Sequence, residues 1–94
     1  MVVGIIEVSI AVVAFSLKEK RGVVKRVLHR TRNQFHIAGA EVDFQDNMDG
    51  AVLGFSAVGT DHQIMDRMLT KIEDFIVDLH LAEVMDVQRE IHHF

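Results

Sequence analysis

Ser16-Leu17-Lys18-Glu19-Lys20-Arg21-Gly22-Val23-Val24-Lys25-Arg26-Val27-Leu28-His29-Arg30-Thr31-Arg32 is the stretch whose reading decides the fold. Its first four residues fit a capping box, in which the serine side chain caps one free backbone N–H of a helix start and the glutamate three residues on caps another. Leu17, Val24, Leu28 and Thr31 then recur on one face, which predicts a helix from about Leu17 to Asn33. Gly22 inside it costs up to ~1 kcal/mol relative to alanine and is expected to mark a close approach of another element. What flanks this helix sets the architecture.

Upstream, Val2, Val3, Ile5, Ile6, Val8, Ile10, Val12 and Val13 are all β-branched, the composition of a buried central strand. No basic residue precedes the run, as a signal peptide requires. It is also shorter than the roughly 20 apolar residues of a membrane helix, and Glu7 and Ser9 interrupt it. Neither export nor membrane insertion is expected. Downstream, two strands are predicted, Phe35 to Gln45 and Ala51 to Gly59, joined through Asp46-Asn47-Met48-Asp49-Gly50, whose residue types suit a hairpin turn. A second capping box, Thr60-Asp61-His62-Gln63, opens a helix over about 61–80 with Met65, Met68, Ile72, Phe75, Ile76 and Leu79 as its apolar stripe. Ala82 to Ile91 follows as a last strand in which Met85, Val87 and Ile91 alternate with charged or polar neighbours.

Strand, helix, strand, strand, helix, strand is two right-handed strand–helix–strand units. It predicts an α+β, ferredoxin-like βαββαβ sandwich, a four-stranded antiparallel sheet with both helices on one face, as a single domain over residues 1–94. Val8, Ile10, Val24, Leu28, Met68, Ile72 and Phe75 are expected in its core. This architecture hosts many functions, so function has to be argued from sites.

Of the ten Lys and Arg residues in the chain, seven lie between Lys18 and Arg32 with Glu19 as the only acid, a local charge of +6 in a protein of net charge −4. At 100° per residue, Lys18, Arg21, Lys25, His29 and Arg32 form one stripe, about 21 Å long, and Arg26 and Arg30 widen it. Such a stripe suits the phosphates of a nucleic-acid backbone. The competing reading is a solvated helix surface, with some of these groups paired to the protein's own carboxylates.

Chemistry of other kinds is poorly provided for. The absence of cysteine excludes disulfides, thiolate metal sites and a cysteine nucleophile, and suits a cytoplasmic protein. There is no phosphate-binding glycine loop, serine elbow or His-Glu helix motif, and no catalytic residues or cofactor are assigned. Glu41, Asp43, Asp46 and Asp49 are read as structural or solvated acids. The six histidines are scattered, so no metal site is assigned. An acylphosphatase-like domain lacks its arginine loop between Ile10 and Ser16, and a small-molecule sensor lacks a glycine-rich ligand turn.

Base stacking on the open sheet face, the usual RNA mode of this fold, is also disfavoured, because the first strand offers no exposed aromatic and Glu7 repels phosphate. Ile5, Ala11, Leu53 and Phe55 are expected to make that face apolar and to form a homodimer interface, sheet against sheet.

Met1-Val2-Val3-Gly4, Ser16-Leu17-Lys18-Glu19-Lys20-Arg21, Ala40-Glu41-Val42-Asp43-Phe44-Gln45-Asp46, Ala51-Val52-Leu53-Gly54 and Ala82-Glu83-Val84-Met85-Asp86-Val87-Gln88-Arg89-Glu90-Ile91 together resemble the YlxP-like family of small bacterial proteins of unknown function. The resemblance spans nearly the whole chain. It implies a ferredoxin-like fold, a cytoplasmic bacterial protein and, because family members are often encoded beside translation and ribosome-maturation genes, work near RNA or ribosomal particles. It supplies no catalytic residues. The chain departs from the family's pattern at Ala11 to Phe15, apolar where the family has a polar loop with proline or glycine, so a site built by that loop is not carried over. The expectation is a non-catalytic RNA- or ribosome-associated binding module; the alternative is a structural homodimeric adaptor for a protein partner.

Overall fold

The four strands pair in the order β2-β3-β1-β4, every neighbouring pair antiparallel, in a computed structural model that describes all 94 residues. The elements are β1 (Val2–Ala11), α1 (Leu17–Phe35), β2 (Ala38–Asp43), β3 (Gly50–Gly59), α2 (His62–Leu79) and β4 (Glu83–His93). Both helices cover one face, the ferredoxin-like arrangement.

Register decides which side chains make the core. Cross-strand partners share a face, and β1 pairs Ile6 with Phe55, Val8 with Leu53 and Ile10 with Ala51. All six lie beneath the helices, where Met65, Leu69, Ile72 and Ile76 of α2 and Val24, Val27 and Leu28 of α1 meet them. Fully burying one such large side chain is worth about 1.5–3 kcal/mol. Leu53 and Phe55 therefore do not join Ile5 and Ala11 on the open face, as the sequence reading expected. Antiparallel pairing puts odd-numbered β3 residues opposite even-numbered β1 residues, so the inward sets of the two strands differ in parity.

The helix ends explain several shifted boundaries. Ser16 Oγ accepts from Glu19 N at 3.1 Å, while the Glu19 carboxylate accepts from Phe15 N at 2.6 Å, one residue before the cap itself. In α2 the cap falls on Asp61 rather than Thr60, with Asp61 Oδ1 accepting from Ile64 N at 2.9 Å. α1 runs on to Phe35, which meets Phe75 edge to face at 5.5 Å, and β2 starts only at Ala38. His36 and His80 end the helices in the left-handed conformation at φ 53° and 52°.

Other expectations change for steric reasons. A Cβ on Gly22 would meet nothing within 4 Å, so no element approaches it. Gly4 is where close packing does occur: a Cβ there would overlap the Met65 thioether, letting α2 sit directly on β1. A register shift between Ser9 and Ile10 turns Met85 outward, and Val84 takes the inward place instead. Met68 and Phe75 are half-buried rather than enclosed, because the space between α1 and α2 is open along its outer side.

Candidate nucleic-acid interface

Not all of α1's positive charge reaches the surface. Lys20 has no solvent exposure at all, and its ammonium donates to Glu41 Oε2 at 2.6 Å and to the carbonyls of Phe44 at 2.9 Å and Gln45 at 3.3 Å. Three acceptors use the three donors of the group, as a buried charge requires. The bond to Glu41 fixes β2 to the start of α1, and the two carbonyl bonds fold the β2–β3 loop back over it. Phe44 takes a left-handed φ of 60° within that loop. A signal for this existed in the sequence: Lys20 stands three residues after Leu17 and four before Val24, on the apolar face.

The other basic residues of α1 are exposed. Lys18, Arg21, Lys25, His29 and Arg32 do form one line, along the flank of the helix that overlooks β2. Arg32 Nη1 donates to Gly39 O at 3.1 Å, Arg21 stands 3.8 Å from Asp46 beyond the end of β2, and His29 Nε2 lies 3.1 Å from the Asn33 amide. Lys25, Arg26, His29, Arg30 and Arg32 border a shallow surface cavity of about 450 Å³.

Ion pairing takes up only part of the positive charge of α1. The protein contains three ion pairs of lysine or arginine with a carboxylate, Lys20–Glu41, Arg21–Asp46 and Arg89–Asp66, and His92 Nε2 lies 3.1 Å from Glu90 Oε2. Lys18, Lys25, Arg26, Arg30 and Arg32 have no carboxylate within 4.0 Å. The acids expected to neutralise the helix are elsewhere. Glu41 is taken by Lys20, Asp43 Oδ1 accepts from Phe44 N, and no third metal-ligating side chain joins any pair of acids or histidines.

The open sheet face has the opposite character. Glu7 lies between Gly54 and Gln88 across the strands, Ser9 between Val52 and Asp86, and Ile5 between Ser56 and Glu90. Glu7, Asp86 and Glu90 thus share a face that carries no lysine or arginine, since Arg89 points to the helix side and holds Asp66 and Thr70 of α2. Ile5 and Ala11 do stand on this face, beside those acids; Leu53 and Phe55 are beneath it.

An α+β sandwich with a charge-bearing first helix is the class defined so far, and comparison with known proteins carries it to a family. A family model described as "Protein of unknown function (DUF503)" matches residues 3–89, and the chain belongs to that family. It is 36% identical over 63 residues to the uncharacterized protein YlxP of Bacillus subtilis (strain 168), covering 67% of this chain and 68% of that protein. Among solved structures, a de novo designed protein, Foldit4, superposes with a TM-score of 0.54 at 15% identity over 99% of this chain and 97% of that one. SnoaB, a cofactor-independent oxygenase from Streptomyces nogalater, superposes with a TM-score of 0.50 at 14% identity, covering 99% and 92%. Those two likenesses concern the fold alone. No helix is long and apolar enough to cross a membrane.

Proposed function

We propose that this protein is a non-catalytic RNA-binding module of the bacterial cytoplasm that holds an RNA backbone along α1, in the setting of ribosome assembly or translation. One observation carries the reading: five basic residues of α1 stand in solvent without a carboxylate partner, although the chain as a whole is acidic. Glu7, Asp86 and Glu90 on the open sheet face then orient the molecule, α1 toward phosphate and that face away. Binding through phosphates is sequence-tolerant and loses roughly 0.7–0.9 log units of affinity per log unit of salt for each phosphate neutralised.

The test is fluorescence anisotropy with labelled RNA at low and moderate salt, alongside a pull-down from bacterial lysate with and without ribonuclease. Affinity in the micromolar range or looser, falling steeply with salt, is the expected result. Recovery of no RNA or ribosomal particles at low salt overturns the reading in favour of a protein-binding adaptor.

A further inference from the structure

Between the end of α1 and the start of α2 lies a groove that the stripe alone does not explain. Its cavity measures about 590 Å³, within the roughly 300–1,000 Å³ typical of small-ligand sites. Phe35 and Met68, both half-buried, give it an apolar wall, and Gln34 offers an amide at its mouth. Arg67 and Lys71, one turn apart on α2, are exposed and have no carboxylate within 4.0 Å. Asp74 and Asp78 stand further along α2, so the cationic part of the groove is its Phe35 end.

The groove is continuous with the basic surface of α1. A second cavity of about 390 Å³ shares Gln34 with the first, and shares His29 and Arg30 with the cavity on the basic helix. A strand lying on the stripe therefore has a polar route over α1, past His29 and the Arg30 cation, and down between the helices. An apolar wall beside an amide and flanked by cations suits a flat, partly polar ring carried on a phosphate chain.

We propose that this groove receives an unpaired base of single-stranded RNA, with Arg67 and Lys71 on the flanking phosphates; the proposal rests on the reading of α1 as an RNA-backbone surface. A paired base is already stacked in its duplex and has no face to offer the groove, so the protein prefers single strands over duplexes. An acidic amphipathic helix of a protein partner is the rival occupant, and it predicts no dependence of RNA binding on the groove.

The experiment measures anisotropy with a labelled ten-nucleotide single strand, the same strand carrying abasic sites, and its blunt duplex. The expected preference for the intact single strand over either control is about tenfold, the scale of one base–aromatic stacking contact. The double variant Arg67→Ala, Lys71→Ala should weaken single-strand binding several-fold and lower its salt slope by about 1.4, two phosphates at roughly 0.7 each. Its thermal midpoint should stay at the wild-type value, both side chains being exposed. If duplex, abasic and intact strands bind alike, or the double variant is neutral while Lys25→Glu still weakens binding, the groove proposal is overturned and the α1 reading survives. If no RNA binds at low salt, both fall together.

Discussion

The outer surface of α1 and the open face of the sheet belong to one small sandwich, yet they carry opposite charge. Five unpaired cations stand on the helix, whereas Glu7, Asp86 and Glu90 stand on the strands with no lysine or arginine paired to them. The net charge of −4 describes neither surface. Where the charges stand matters more for binding than their total, because a phosphate chain feels the surface within about a Debye length, ~8 Å at physiological salt.

The two faces also differ in what holds them in place, and this comparison can be broken first on the inner side of the sheet. Replacing Phe55 with alanine should destabilise the protein by about 3–5 kcal/mol, since the ring is almost wholly enclosed beneath the helices. Ile5→Ala, on the opposite face of the same sheet, should cost under about 1 kcal/mol, well below the range for a buried isoleucine. Urea unfolding followed by circular dichroism measures both. Equal losses would mean that the open face is covered in solution, as a sheet-to-sheet homodimer requires, although such a pairing must bring like-charged strands together.

Within α1 the contrast lies between Lys20 and its neighbours. Lys20→Ala should cost about 3 kcal/mol, near the lower end of what breaking a buried ion pair costs, because Glu41 keeps partial exposure at 16%. Lys20→Met refills the space of the stem but still leaves Glu41 and the two carbonyls without a donor, so it should recover only the smaller, packing part of that loss. Neither change should weaken RNA binding at temperatures where the variant is folded, since a fully enclosed ammonium cannot reach a phosphate. A loss of RNA affinity in folded Lys20→Met would show that the loop it anchors takes part.

Lys25→Glu addresses the outer surface alone. It should reduce RNA affinity about tenfold at low salt, equivalent to about 1.4 kcal/mol, and leave the urea midpoint unchanged. Glu7→Lys, on the far face, should leave affinity within about twofold because screening confines its effect. If the two reversals act equally, the molecule binds through its overall charge and α1 is not the site. The smallest effect concerns Gly22. Free space around it and a helical backbone lead to the expectation that Gly22→Ala stabilises the protein by about 0.4–1 kcal/mol, read as a rise in thermal midpoint.

The order of elements and the helix phases were legible from short-range chemistry. Ser16 and Glu19 mark the start of α1, and the placing of Leu28 and Ile72 in the core follows from the 3.6-residue repeat. The cationic stripe was legible for the same reason, since spacing of three and four residues aligns side chains whatever the rest of the chain does. Arg67 and Lys71 follow the same spacing on α2, but two cations among acids are no signal until the fold sets them beside Phe35.

Pairing between distant strands was another matter. Nothing within β3 says whether Leu53 or Val52 faces the helices; its parity depends on register with β1, which puts Val8 opposite Leu53. Lys20 entered only the charge of the segment, with no partner assigned, because Glu41, Phe44 and Gln45 lie more than twenty residues away. By itself the sequence determined which segments are helix and strand and which helix carries the cations, since capping and periodicity act within a few residues. Only the tertiary structure decided which face of each strand is buried, which lysine is neutralised and where the two helices leave a groove, because those depend on contacts between segments that meet only once the sheet has formed.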